Sequence, residues 1–247
     1  MPNRLSELAA SIGGRSRIKD PNSDEVRKSG EKAAEILATE IMKAYGKSPQ
    51  IAILDFGAAA GRVTVPLARL LPRSRVTATD VDAESIEYLQ LTAPANCTGQ
   101  VNAYVPPLPF APGTFDCVVA ISVWSHFPDD LSVKWLKEMQ RITKPGALLL
   151  ISTGGEATLE EWRKTPRWAK VSVEQYQRDK YIYLEYKFIS SDNTRWPGIA
   201  GAGSWGETIM HPEFIREHWG RMFDVLEVRQ KGTPGSQDLV IMRSPRQ

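Results

Sequence analysis

The stretch Leu54-Asp55-Phe56-Gly57-Ala58-Ala59-Ala60-Gly61-Arg62 decides the fold. An apolar run from Ile51 to Phe56 breaks at Gly57 into a turn of glycine and alanine alone, and Val63 to Leu71 then carries helical spacing with Pro66 in its first turns. That is strand, small-residue turn, helix. Such a turn lets a ligand approach backbone that side chains would otherwise block, so a site belongs at the carboxyl end of this strand. A nicotinamide or flavin fingerprint would need a third small residue where Arg62 stands, which weakens the dehydrogenase reading.

Working outward, the alternation repeats. Arg75 to Thr79 reads as a strand, Ala83 to Leu91 as a helix, Phe115 to Ser122 as a strand, Leu131 to Thr143 as a helix and Ala147 to Thr153 as a strand. A parallel sheet covered by helices follows. Val118 to Ile121 and Leu148 to Ile151 are apolar without alternation, as central strands with both faces covered should be. Upstream, residues 4–12 and 24–45 have helical spacing, and Gly46 and Pro49 end the second helix. Downstream, residues 162–219 hold eleven of the chain's twenty-one aromatics, which marks an insertion. Within it Tyr181 to Tyr186 alternates like a strand, Gly201, Gly203 and Gly206 mark a loop, and Pro212 opens a helix to about Trp219. Phe223 to Arg229 and Asp238 to Arg243, joined by the turn Gly232-Thr233-Pro234-Gly235, should be antiparallel strands.

A second carboxylate, Asp80, closes the next strand in Thr77-Ala78-Thr79-Asp80-Val81-Asp82, where an acid can accept from both hydroxyls of a ribose. Asp82 is placed to cap the following helix. At this point the chain resembles the class I S-adenosylmethionine-dependent methyltransferases, in the small-molecule group. Their first motif, Asp-x-Gly-x-Gly-x-Gly, falls on Asp55, Gly57, Ala59 and Gly61, and their second-strand acid on Asp80. The likeness continues through Pro107-Leu108-Pro109-Phe110 and Phe115-Asp116, and through Leu136-Lys137-Glu138-Met139-Gln140-Arg141-Ile142-Thr143-Lys144-Pro145-Gly146.

The resemblance implies S-adenosyl-L-methionine as cofactor. Gly57 and Gly61 would line its methionine portion, Asp55 would orient its amino group directly or through water, and Asp80, with Val81 beside it, would hold the ribose. Asp55 has a second reading, as a cap of the turn. Ala59 replaces a glycine and narrows the channel by one methyl. Where many relatives place an adenine-binding Asp this chain has Tyr104, so adenine would stack on that ring or bond backbone near Val105; Ser122 completes the cofactor set. The implied architecture is α/β: a Rossmann-like, doubly wound, seven-stranded sheet with the last strand antiparallel. It is one domain over 1–247, with a helical lead-in (1–50), a cofactor-binding core (51–155), an aromatic cap insertion (156–210) and a C-terminal helix and strand pair (211–247).

His126, just past the fourth strand, is the candidate catalytic residue: its ordinary pKa suits proton removal from a hydroxyl, although packing the loop is the other reading. Trp124, Trp196 and Trp205 are candidate acceptor contacts, because tyrosine and tryptophan line pockets that close on sugars or aromatic metabolites; a small satellite core is the alternative for these aromatics. The function expected is methyl transfer to a small molecule, with a lean to O-methylation of a sugar or related metabolite. A non-catalytic S-adenosylmethionine-binding protein of the same fold is the rival.

Composition narrows the partners. The chain has 247 residues, 42% hydrophobic and 24% charged, with a net charge of +2. No apolar run approaches the roughly 18 to 20 residues of a membrane span, and the N-terminus does not read as a secretory signal, so cytoplasm and no membrane partner are expected. Residues 160–195 carry eight Lys or Arg against six Asp or Glu, no stripe for nucleic acid. Two cysteines, Cys97 and Cys117, make neither a disulfide framework nor a zinc site; His211 and His218 suit surface or capping roles, and no metal is expected. Oligomeric state is left open.

Overall fold

The computed structural model describes residues 2–13, 23–185 and 205–246. They fall into two compact units, one ending at Tyr104 and the other beginning at Val105.

The first unit opens with α1 (Pro2–Gly13) and α2 (Asp24–Tyr45). Ser23 caps α2 by accepting from the Val26 amide at 3.4 Å, and Gly46, at φ 89°, ends it in a conformation that favours glycine. Then follow β1 (Ala52–Phe56), α3 (Thr64–Leu70), β2 (Arg75–Asp80), α4 (Ala83–Thr92) and β3 (Cys97–Val101). The strands are parallel in the order β3-β2-β1, with Phe56 opposite Thr79 and Asp80 opposite Val101. This register brings the carboxyl ends of β1 and β2 to one edge, which sets Asp80 beside the glycine turn. Helix α1 lies against α4 through Leu8, Ala9 and Ile12, which cluster with Tyr88 and with Ala60 of the turn. Arg4 and Ser11 add bonds to Glu87 and Glu84 at 2.8 and 2.7 Å, but these are exposed and contribute little beside the apolar contact. Strand β3 has no counterpart in the hydrophobic pattern: only Cys97 of Cys97-Thr98-Gly99-Gln100-Val101 is buried, as befits an edge strand.

The second unit holds β4 (Phe115–Ala120), α5 (Asp129–Ile142), β5 (Thr143–Thr153), α6 (Glu156–Trp162), α7 (Val173–Asp179), β6 (Tyr181–Glu185), β7 (Gly206–Met210), α8 (Pro212–His218), β8 (Asp224–Arg229) and β9 (Asp238–Arg243). Its main strands run β4-β5-β9-β8; β4 and β5 are parallel and β9 is antiparallel to both of its neighbours. With β1 to β3 they make up the seven strands of a mostly parallel sheet, the doubly wound α/β architecture expected. Cys117 to Ala120 and Leu149 to Ile151 are wholly inaccessible, so two-sided burial explains why these strands lack alternation. Burial also pushes the Cys117 thiol up, leaving it an inert core group.

Between β5 and β8 lies the insertion. Strands β6 and β7 form a separate antiparallel pair, packed with α6 and α7 around Leu159, Trp168, Val171, Tyr176, Ile182 and Ile209. Part of the aromatic excess is therefore satellite core. One expectation is corrected here. The loop marked by Gly201, Gly203 and Gly206 does not extend through Gly206, which starts β7: a Cβ there would stand 2.4 Å from the Tyr183 ring and 2.6 Å from the Leu184 carbonyl. His211 caps α8 by accepting from the Glu213 amide at 3.2 Å, and His218 stacks on Phe214 with ring centres 4.0 Å apart.

Candidate cofactor and acceptor site

The glycine turn is tied to β2 by its own backbone. The amides of Gly57 and Ala58 donate to the Thr79 carbonyl at 2.8 and 2.9 Å, and the Gly61 amide to the Ala58 carbonyl at 3.0 Å. Three of its residues have positive φ: Gly57 at 76°, Ala59 at 47° and Gly61 at 86°. Gly61 is required twice over, since a Cβ would also lie 3.0 Å from Leu89 Cδ1 and 3.1 Å from Val65 Cγ2. Ala59 takes the left-handed conformation without being glycine, and its amide donates to Asp80 Oδ2 at 2.7 Å.

Asp80 also accepts from the Asp82 amide through Oδ1 at 2.9 Å. Burial pushes its pKa up to about 6, against the pull of the backbone donors of Asp82 and Ala59. Each carboxylate oxygen has more than one acceptor direction, so two ribose hydroxyls can still be received. Asp82 stands at the N-cap of α4 as expected, but its carboxylate makes no cap bond to the helix and takes the Ser85 hydroxyl at 2.5 Å. Asp55 is 2% exposed and accepts from the Thr64 hydroxyl at 2.6 Å, where α3 begins. Burial raises it to about 6, opposed by the Thr64 bond and by the Arg62 guanidinium.

Arg62 is the residue that broke the dinucleotide pattern, and the structure gives its place. Its guanidinium donates to Ser29 Oγ at 3.0 Å, and its carbonyl lies 2.0 Å from where a Gly30 Cβ would stand. The small residue at this helix contact is thus Gly30 on α2, 32 positions before Arg62 and beyond the reach of a local motif pattern. Beyond β2, the Asn102 amide continues the strand pairing to the Asp80 carbonyl at 2.9 Å; Tyr104 is half-buried and Val105 is 52% exposed.

In the second unit, Glu138 and Arg141 of α5 hold the Leu108-Pro109-Phe110 loop. Glu138 Oε1 accepts from the Leu108 amide at 2.7 Å and from Arg141 at 2.6 Å, while Arg141 donates to the Phe110 and Leu108 carbonyls at 2.8 and 3.1 Å. Here the Glu-x-x-Arg spacing finds its use: one helical turn puts both partners on one face.

Past β4, Ser122 adopts φ 61°, so it belongs to the turn and not, as read from the sequence, to the strand. His126 closes a 3₁₀ turn, Trp124–His126. Its Nδ1 lies 2.9 Å from the Gly206 carbonyl and its ring stacks on Trp205, with centres 5.3 Å apart and planes 11° from parallel. A carbonyl only accepts, so Nδ1 carries the proton and Nε2 the lone pair. Trp124 has no accessible surface and packs against Phe127 and Trp219. Trp196, Gly201 and Gly203 lie outside the described residues. Sequence reading missed Gln237, whose amide meets Ser122, Ser152 and Ser125; no motif marks it.

Residues 53–146, the segment with the glycine turn, Asp80 and the Glu138–Arg141 clamp, match the family described as a methyltransferase domain. That segment is similar to a methyltransferase domain, in keeping with the motifs it carries. S-adenosylmethionine is the cofactor of such domains. A malonyl-[acyl-carrier protein] O-methyltransferase of Erwinia pyrifoliae is 32% identical over 110 residues, 39% of this chain; the match spans 37% of that relative's length. Among solved structures, an S-adenosylmethionine-dependent methyltransferase of Methanosarcina mazei is similar at TM-score 0.56 and 18% identity, over 84% of this chain and 98% of the other. Human N-acetylserotonin methyltransferase, in complex with S-adenosylmethionine, is similar at TM-score 0.56 and 15% identity, over 99% of this chain and 56% of the other. At these identities the structural likenesses speak for the fold of the methyltransferase domain. Among the described residues no helix is long and apolar enough to cross a membrane.

Proposed function

We propose that this chain is an S-adenosylmethionine-dependent methyltransferase whose acceptor is a hydroxyl oxygen of a small molecule, a sugar or related metabolite, with His126 as the general base. The residues of the first unit fit the cofactor: a turn with left-handed Gly57, Ala59 and Gly61 leaves backbone accessible, and Asp80 retains acceptor capacity beside it. In this reading Asp55 faces the amino group, Asp80 with Val81 holds the ribose, Tyr104 and Val105 border the adenine, and Ser122 completes the set. When bound, the cofactor supplies an electrophilic methyl group on a sulfonium.

One observation carries the acceptor assignment: the Gly206 carbonyl at 2.9 Å fixes the His126 tautomer so that Nε2 is the basic nitrogen. Trp205, stacked on the ring, restrains its plane. A neutral hydroxyl acceptor wants a base of this kind, whereas a carboxylate acceptor would want a cation. The Erwinia relative's name gives it a malonyl-[acyl-carrier protein] acceptor, so that acceptor belongs in the test.

The test is release of S-adenosylhomocysteine from S-adenosylmethionine over a panel of hydroxylated sugars, phenolic metabolites, simple carboxylates and malonyl-acyl carrier protein. Turnover with a hydroxyl acceptor, lost about a hundredfold or more in His126→Ala, supports the reading. Turnover confined to carboxyl acceptors, or kept in His126→Ala, overturns it.

A further inference from the structure

Gln237 sits where β9 begins, at the end of a turn shaped to deliver it. Lys231 and Ser236 both have positive φ, 51° and 66°, with Gly235 at 88° between them. The turn closes on itself: the Thr233 amide and hydroxyl donate to the Gln237 carbonyl at 3.1 and 3.3 Å. Gly232 must be glycine, because a Cβ would stand 2.6 Å from Leu239 Cβ. Two non-glycine residues in left-handed conformation within one short turn are costly, and such strain persists where the surroundings enforce it.

What the turn presents is a side-chain amide engaged at both ends. Gln237 Oε1 accepts from Ser152 Oγ at 2.7 Å and from Ser122 Oγ at 3.1 Å, and Nε2 donates to Ser125 Oγ at 3.3 Å. Ser152 Oγ in turn receives the Ser122 amide at 2.7 Å, which holds Ser122 in its left-handed conformation. Ser125 is fully buried and precedes His126 in the same 3₁₀ turn. One amide therefore pins the segment from Ser122 to His126 at its start and at the residue before the histidine, and the His126 ring must reach the Gly206 carbonyl 80 positions away.

We propose that Gln237 is a positioning residue: it latches the post-β4 segment so that His126 keeps its Nδ1–H bond to Gly206 and its basic Nε2. The catalytic consequence rests on reading His126 as the base; the latch itself does not.

The test uses nitrogen-15 imidazole NMR of the full chain, which reports the His126 tautomer directly, together with amide exchange of residues 122–127 and calorimetric titration with S-adenosylmethionine. Gln237→Leu keeps the volume and removes every polar contact. It is expected to lower the Nδ1–H population of His126 and to speed exchange of the segment about tenfold or more, with cofactor affinity within about threefold of wild type. Gln237→Glu, which can accept from all three serine hydroxyls, should restore exchange toward wild type. Should Gln237→Leu fail to fold, Ser125→Ala removes the partner of Nε2 alone and should shift the tautomer in the same direction. Unchanged His126 signals and exchange in the folded variants overturn the latch, whatever His126→Ala does to turnover. A tautomer shift alongside full turnover in His126→Ala keeps the latch and removes the base from the proposed reaction.

Discussion

The amide of Ala59 donates to Asp80 Oδ2 at 2.7 Å, so the carboxylate assigned to the ribose is also a strut of the glycine turn. Asp80→Ala should therefore lower S-adenosylmethionine affinity about ten- to a hundredfold and also destabilise the fold, because the amides of Ala59 and Asp82 lose a charged acceptor worth about 1.5 to 3 kcal/mol each. Calorimetric titration and chemical denaturation of the same variant check both effects. Unchanged affinity in a folded Asp80→Ala protein would reject the ribose assignment.

Asp55 makes stability depend on pH. Its folded pKa of about 6 lies above the ordinary value of 3.8, so between those values the folded state binds more protons than the unfolded one. The sign is a loss of stability as pH rises through that window, flat above about 6 and vanishing below about 4. The contribution is on the order of 3 kcal/mol at full ionisation. Asp80 and Asp238 are raised in the same direction, so the difference between wild type and Asp55→Asn isolates this group. Denaturation midpoints of the cofactor-free proteins from pH 4 to 7 should diverge in favour of Asp55→Asn; parallel profiles would exclude an ionised, buried Asp55.

Removing Glu138 should cost about 3 to 5 kcal/mol, because Arg141 and the Leu108 amide lose their shared acceptor in a largely buried setting. Urea denaturation of Glu138→Ala measures this. A loss under 1 kcal/mol would mean that the clamp on the Leu108 loop contributes little.

Ile12, fully buried against Tyr88 and Ala60, anchors α1 on the cofactor turn. Ile12→Ala should weaken that docking by about 2 to 5 kcal/mol, raising hydrogen exchange throughout α1 and quickening S-adenosylmethionine release severalfold. Stopped-flow displacement reads the release rate. Wild-type exchange in α1 would show that the cluster does not hold the helix.

Trp205 stacks on His126, so Trp205→Ala should lower turnover and raise the acceptor KM while cofactor affinity stays near wild type. Steady-state kinetics and a separate cofactor titration divide the two effects. Loss of cofactor binding with unaltered acceptor kinetics would place Trp205 in the nucleotide site.

Local chemistry wrote much of this protein into its sequence. The apolar runs of β1, β4 and β5, the Gly57 to Gly61 turn and the acid closing β2 each depend on neighbours a few positions apart, which is the range over which strand and helix periods operate. Strand β3 escaped because an edge strand with one buried residue has no hydrophobic signature, and α6 and α7 because seven residues hold too few turns to show a period. What only the tertiary structure decided are the contacts between distant segments. Gly30 fits under Arg62, Gln237 reaches Ser125 and Ser122 from 112 and 115 positions away, and the Gly206 carbonyl selects the proton-bearing nitrogen of His126. A histidine's tautomer and an amide's partners are set by which atoms the packed chain brings within about 3 Å, and no local pattern encodes that distance.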